Sequence, residues 1–222
     1  MIKHPSWTNT SSIPTVAPMT SCSIAVVYHS GSGHTRVQAE AAFDGAASVE
    51  DASAHLISVD AAGQVDDVGW DLLDAADAII LGAPTYMAGP SAPFKTFLDA
   101  TSARWAEQRW CDKLAAGFTN SAGLSGDKLA TLQQLALFAM QHGMIWIGLG
   151  LLPGNHTSGG SPDDLNRLAA FLGAMAQSNA DEGPQLVPPP ADRRTAQHLG
   201  RRVALLAAEL RTARAVVAEV GS

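Results

Sequence analysis

The chain has 222 residues, enough to bury a full core without disulfides or a structural metal. Its formal net charge of −7 speaks against a dedicated nucleic-acid binder, which carries a basic patch. The longest apolar stretch, Met144 to Leu152, falls well short of the ~20 residues a spanning helix needs. Cys22 and Cys111 form no CxxC pair, so neither a zinc site nor a thioredoxin-type motif is indicated, and both read as small packing residues. No metal-ligand set and no Ser/His/Asp arrangement stands out.

Residues 1–21 are rich in Ser, Thr and Pro and lack periodicity, so they read as a flexible tail, with Met19 as an alternative start. No apolar run follows Lys3, so a secretory signal is not expected and a reducing, cytoplasmic setting is. Ser23 to Tyr28 is a short β-branched apolar run and predicts a buried strand. A helix is expected from His34 to Ala47, with Val37, Ala41 and Phe43 facing the core. His55–Val59 and Asp77–Gly82 predict the second and third strands. Phe94, Phe97, Leu98 and Thr101 follow at helical spacing. Lys113–Phe118 predicts a fourth strand. Asp127–Gln141 predicts a helix with Leu129, Leu132, Ala136 and Met140 on its buried face. Gly143–Leu149 predicts a fifth strand.

The segment 151–190 is extra. Ser161-Pro162-Asp163-Asp164 has the chemistry of a helix start: an N-cap, a first-turn proline and acids at the positive dipole end. Leu165, Leu168, Leu172 and Met175 then repeat helically, predicting a short helix near the site or at a subunit contact. Leu199, Val203, Leu206 and Leu210 mark a last amphipathic helix, followed by a C-terminal tail over 215–222. Its arginines, Arg193, Arg194, Arg201 and Arg202, read as a solvated face. Continuously apolar strands alternating with helices call for a parallel sheet covered on both faces. The expectation is one doubly wound α/β domain over 22–214, five strands in the order 2-1-3-4-5. Ligands of such sheets bind beyond the strand carboxyl ends, between strands one and three.

Three loops there carry chemistry. The first, Tyr28-His29-Ser30-Gly31-Ser32-Gly33-His34-Thr35, joins a strand to a helix with small and hydroxyl residues. Its N–H groups and the helix N-terminus suit a phosphate. It lacks the lysine of a triphosphatase loop and the third glycine of the dinucleotide fingerprint. Val26, Val27, Tyr28, Ser30, Gly33, Thr35 and Ala39 fill every constrained slot of the flavodoxin signature. The resemblance implies a flavodoxin-like fold and an FMN phosphate held by Ser30, Ser32, Gly33, His34 and Thr35. The second loop, Pro84-Thr85-Tyr86-Met87-Ala88-Gly89, resembles the Pro-Thr-x-x-Gly loop of WrbA-type NAD(P)H:quinone oxidoreductases, which flanks the isoalloxazine ring. Proline fixes the backbone and glycine permits close approach of main chain to a flat ring. Tyr86 is either a ring-stacking residue or an ordinary loop aromatic. The third loop, Asn120-Ser121-Ala122-Gly123-Leu124-Ser125-Gly126, resembles a glycine-richer family loop around the ribityl chain.

Gln141-His142-Gly143-Met144 resembles the family's His-His-Gly-Met. That implies a catalytic role for His142 as proton donor to a quinone, set against a helix-terminal histidine before a glycine C-cap. Trp105 matches a family tryptophan that approaches a neighbouring subunit's flavin, and it reads equally as a simple core or surface tryptophan. The resemblance, spanning about Ser23 to Ala213, implies an FMN-dependent oxidoreductase passing hydride from NADH or NADPH to a quinone or similar small acceptor. It also implies a homodimer or homotetramer. A flavodoxin-type electron carrier and a flavin-binding regulatory module stay open as alternatives.

Overall fold

The structure is a computed structural model that describes residues 21–220. All but the last residue of the expected N-terminal tail lies outside the described residues. Cys22–Tyr28 forms β1, and its apolar run is buried almost throughout. Strand β1 pairs in parallel with β2 (Ala52–Ser58) on one side and β3 (Ala78–Tyr86) on the other. Strand β3 pairs with β5 (Leu114–Ser121), and β5 with β6 (Ile145–Trp146). The sheet order is β2-β1-β3-β5-β6, with β4 (Gly89–Pro90) folded back on β3. Apart from that two-residue strand, this is the expected doubly wound order.

The expected fifth strand is divided. Strand β6 pairs with Leu114 and Ala115 at the amino end of β5. The carboxyl end of β5 is paired instead by β7 (Ala174–Gln177). The chain leaves the sheet edge after Leu149 and returns at Phe171, where the Leu149 N–H donates to the Phe171 carbonyl at 2.9 Å. Met175, expected on a helix, lies in β7.

Nor does the excursion contain a helix. Asn166 and Ala169 have φ of 52° and 53°, outside the helical region. The Asn166 side chain accepts from the Ala170 N–H at 2.8 Å and donates to the Ala170 carbonyl at 2.9 Å. Asp164 accepts from the N–H groups of Ser161 and Asn155, both at 3.0 Å. Side chains that satisfy the backbone locally compete with the helical ladder, and here they win.

Two helical layers cover the sheet. Helices α1 (His34–Ala47) and α6 (Pro190–Val220) pack on the face bearing Ile24, Val26, Ile80 and Phe118. Helices α2 (Asp67–Ala75), α3 (Ala92–Ala100) and α5 (Lys128–Gln141) cover the face bearing Val27, Ile79 and Leu81. A short helix, α4 (Ser102–Ala106), follows α3. Helix α2 had no counterpart in the sequence reading; its N-terminus is capped by Asp66, which accepts from the Gly69 N–H at 2.8 Å.

Two buried faces differ from expectation. Helix α1 buries Thr35, Gln38, Ala39, Ala42, Gly45 and Ala46, leaving Val37, Ala41 and Phe43 half-buried. The reason is close helix packing: a Cβ on Gly45 would collide with the Gln197 carbonyl, and one on Gly200 with the Ala42 carbonyl. At these two crossing points the backbones of α1 and α6 leave no room for a side chain. Helix α5 turns Leu132 inward but exposes Leu129 and Met140; it buries Lys128, Thr131, Leu135 and Ala139 instead. Helix α6 continues to Val220, so 215–220 is exposed helix rather than tail. Of the cysteines, Cys22 is buried as expected and Cys111 is exposed.

Of the four arginines expected on a solvated face of α6, Arg201 is exposed as expected, Arg193 donates to the Pro188 carbonyl at 2.6 Å, and Arg194 and Arg202 act as clamps. Arg194 donates to the Asp163 carbonyl at 2.7 Å and Arg202 to the Gly148 carbonyl at 3.2 Å. Asp192 takes Arg167 in a bidentate pair at 2.7 and 2.8 Å. These contacts press the excursion onto α6. No helix among the described residues is long and apolar enough to cross a membrane.

Candidate functional site

The carboxyl ends of β1, β3, β5 and β7 deliver four loops to one edge. The β1–α1 loop is His29–Gly33. Gly33 sits at the helix N-cap with φ of 86°, a left-handed conformation suited to glycine. The Ser30 hydroxyl accepts from the Arg36 N–H at 3.2 Å. Among the described residues, the N–H groups of Gly31 to Thr35 have no acceptor, and no acid lies in the first turn of α1. His29 is buried; its Nδ1 is bonded to Ser91 Oγ at 2.8 Å and its N–H donates to the Gly82 carbonyl at 3.0 Å. Burial lowers the His29 pKa, against an opposing pull from Asp60.

The second loop is a tight hairpin, with Thr85 opposite Pro90 and Tyr86 opposite Gly89. Met87 and Ala88 form its turn with φ of 47° and 61°. Two positive values match the turn whose twist suits a hairpin, yet neither residue is the glycine such positions favour. Gly89, expected to permit close approach of the main chain to a ring, is not among the positive-φ residues. Thr85 is buried, its hydroxyl 2.8 Å from those of Thr119 and Thr131. Thr119 in turn donates to the Ala83 carbonyl at 2.7 Å. This hydroxyl cluster fixes the hairpin to β5 and α5. Tyr86 leans toward the first loop, its hydroxyl 2.5 Å from where a Cβ on Gly31 would lie.

The third loop, Asn120–Asp127, closes over Lys128. The ammonium donates to Ser121 Oγ at 2.8 Å and to the Gly123 carbonyl at 2.6 Å. Burial pushes the Lys128 pKa down to about 8; Asp192 opposes this and Arg167 adds to it. Asn120 donates to Ser178 Oγ at 2.9 Å.

The fourth loop, residues 178–185, belongs to the segment expected near the site or at a subunit contact, but it carries no helix and none of its residues is among those expected to hold the cofactor. Gln177, at the end of β7, donates to the Ala122 carbonyl at 2.9 Å, and Ser178 N–H donates to the Ser121 carbonyl at 3.1 Å. At its other end the Glu182 carbonyl lies 2.8 Å from His34 Nε2, and Pro184 lies against Gly33. The loop therefore ties the third loop to the first. Its signal in the sequence was Gly183-Pro184, a turn pair, but the strand feeding it was read as helix.

Ser30, Ser32, Gly33, His34, Thr35, Pro84 to Gly89, Asn120 to Gly123 and Gly126 thus gather on one edge. His142 does not. It caps the far end of α5, 14 residues from the helix start, about 20 Å away at 1.5 Å per residue. The imidazole is buried between Trp110 and Phe138, ring centroids 4.9 and 4.7 Å away, and its Nε2 is 2.9 Å from Thr101 Oγ1. Burial lowers its pKa. Helix α5 thus carries His142, the expected proton donor to a quinone, to the edge opposite the flavin loops of this chain.

The donor set fits FMN. A phosphate needs N–H groups without acceptors at an uncompensated helix N-terminus, and residues 31–35 supply them. A flat ring needs a rigid apolar wall, and the anchored hairpin supplies one.

Comparison with known proteins agrees. Residues 60–157 match the NADPH-dependent FMN reductase family. The chain is 45% identical to Flavodoxin FldP of Pseudomonas aeruginosa over 185 residues, 83% of this chain and 96% of that one. It is 30% identical to an NAD(P)H dehydrogenase (quinone) of Trichlorobacter lovleyi over 178 residues, 70% of this chain and 87% of that one. Among solved structures, the flavodoxin, WrbA-like protein from Agrobacterium tumefaciens superposes with a TM-score of 0.69 at 44% identity, covering 85% of this chain and 99% of that one. The fold and site define a flavodoxin-like oxidoreductase. The chain belongs to the flavodoxin-like family of FMN proteins that includes Flavodoxin FldP and the NAD(P)H dehydrogenases (quinone).

Proposed function

We propose that this protein is an FMN-dependent oxidoreductase that takes hydride from NADH or NADPH and passes it to a quinone or similar small acceptor. The observation that carries the acceptor chemistry is that Tyr86 is the only Phe, Tyr or Trp in the four loops taken as 29–33, 84–89, 120–127 and 178–185. One face of the ring can be covered by an aromatic side chain of this subunit. The other is left for a nicotinamide, and then an acceptor, to stack upon.

FMN, when bound, supplies reversible hydride acceptance and release. The chain supplies position. Ser30, Ser32, Gly33, His34 and Thr35 hold the phosphate through N–H and hydroxyl donors. Pro84 to Gly89 wall the ring, with backbone N–H groups available to its polar edge and Tyr86 alongside. Asn120, Ser121, Ala122, Gly123 and Gly126 line the ribityl side. No side chain acts as a nucleophile, and rate comes from alignment and preorganised dipoles. A homodimer or homotetramer and a cytoplasmic setting belong to the same reading. Exposed Trp105 and Leu137 line a cavity of about 450 Å³ between α3 and α5, where such an assembly would close.

The test is oxidation of NADH and NADPH followed at 340 nm with and without benzoquinone, on protein whose flavin spectrum is recorded. Bound FMN with quinone-stimulated oxidation supports the reading and identifies the nicotinamide. Bound FMN without oxidation favours a one-electron carrier, the alternative that the likeness to Flavodoxin FldP keeps in play. Absence of FMN binding sinks both.

A further inference from the structure

Lys128 is the least expected residue at this edge. It is the first residue of α5, where the helix dipole disfavours a cation, and it is only 1% exposed. Both hydrogen-bond acceptors it meets are neutral, Ser121 Oγ and the Gly123 carbonyl. The carboxylate that acts on it, Asp192, is already engaged by Arg167 through two bonds and by the Gln177 N–H at 2.9 Å. Lys128, Arg167 and Asp192 together carry one net positive charge, largely out of water, beneath the third loop. Burying an uncompensated charge is costly, and the ligand that the adjoining loops suit is itself an anion.

The loop above is tied to Lys128 at two points, Ser121 and Gly123. Gly126 and Asp127 have consecutive positive φ values of 53° and 52°. Both residue types tolerate the left-handed region, so the turn itself is unstrained, and the two Lys128 bonds pin it across Ser121 and Gly123.

Resting on the FMN reading, we propose that Lys128 is a positioning and electrostatic residue. It shapes the Asn120–Asp127 loop, and its fixed charge makes the site bind two-electron-reduced FMN, which carries added negative charge, more tightly than oxidised FMN. The charge thereby raises the potential of the bound cofactor and favours acceptance of hydride.

The test compares wild type, Lys128→Met, Lys128→Gln and Lys128→Arg by titration with oxidised and with dithionite-reduced FMN, and by potentiometry of the bound flavin. The expected result for Lys128→Met is about tenfold weaker binding of reduced relative to oxidised FMN, a fall of about 30 mV for a two-electron couple. Lys128→Arg restores most of the difference. If Lys128→Met does not fold, Lys128→Gln carries the test, since its amide can still donate in the loop without charge. Equal weakening of both redox forms, with an unchanged potential, makes Lys128 a loop buttress only and overturns the electrostatic role. Failure of wild type to bind FMN overturns the parent reading, a result distinct from an unchanged potential.

Discussion

Replacing Gly45 by alanine tests whether the α1–α6 contact sets the position of the first loop. On an isolated helix the change would stabilise by about 1 kcal/mol, since glycine is a poor helix former. Here the new methyl collides with the Gln197 carbonyl, and it would stand 2.7 Å from the Gln197 carbonyl carbon and 3.0 Å from the Arg201 nitrogen. All three are backbone atoms of α6, so no rotamer change relieves the clash. The helices must part, and the packing of Ala39, Ala42 and Ala46 against Ala196, Val203 and Ala204 loosens with them. Overpacking costs about 1–3 kcal/mol where side chains can adjust, and backbone contacts place this case at the upper end. Net of the propensity gain, the expected loss is about 2 kcal/mol, or about 4–8 °C in Tm for a domain of this size. Thermal unfolding of Gly45→Ala beside Gly159→Ala, a turn glycine whose Cβ would meet nothing within 4 Å, separates the clash from the effect of an added methyl without one. FMN affinity of Gly45→Ala should fall as well, because α1 carries the phosphate loop at its N-terminus. A Gly45→Ala protein as stable as wild type, with unchanged FMN affinity, would refute the argument.

Other substitutions probe the supports of the site. Thr85→Val removes the hydroxyl joining Thr119 and Thr131 and should cost about 1–3 kcal/mol, read by urea denaturation, with weakened FMN binding as the hairpin loosens. Arg167→Met strands the buried carboxylate of Asp192 and should cost about 3 kcal/mol, with protease cleavage appearing first in 150–170 as the excursion lifts from α6. His29, His142 and His198 have pKa values lowered by burial. The unfolded chain therefore binds more protons below the ordinary value of 6.5, and stability should fall as pH drops through it and be level above about 7. Melting scans from pH 7.5 to 5 on wild type and His142→Gln check this: the variant should lose part of the acid sensitivity while its affinity for FMN stays the same.

The strands were legible because parallel strands buried on both faces read as unbroken apolar runs. Ser23–Tyr28 and Asp77–Gly82 needed no help from context. What failed was anything decided by long-range contact. The fifth strand could not be read as two halves, because β6 offers two residues and β7 four, and each is a strand only because β5 has an edge to pair. The helical repeat from Leu165 to Met175 was real as a pattern, yet the Asn166 side chain and the clamps from α6 hold that segment in turns. Helix α2 escaped notice because Gly69 and its flanking aspartates weaken the local helical signal. The buried face of α5 was misread because leucines stand on both sides of it, and periodicity cannot say which side meets the sheet.

The site divides along the same line. A phosphate loop and a Pro-Thr-x-x-Gly loop are local chemistry, written in consecutive residues, and each arrived at the expected edge. The parts that tune such loops are distributed. The hydroxyl cluster joins residues 85, 119 and 131, and the charge cluster joins residues 128, 167 and 192. A lysine at the start of a helix reads as a surface residue, because nothing nearby in sequence announces that it is buried. His142 was the opposite case: a local motif drew attention to a residue whose helix then carries it away from the edge its motif suggested. Loop chemistry therefore identifies the ligand class, while the electrostatic setting of that ligand is fixed by residues that only the fold brings together. The Lys128 potentiometry bears on that division directly, since it asks whether a distributed charge, rather than any motif residue, sets how readily the bound cofactor accepts hydride.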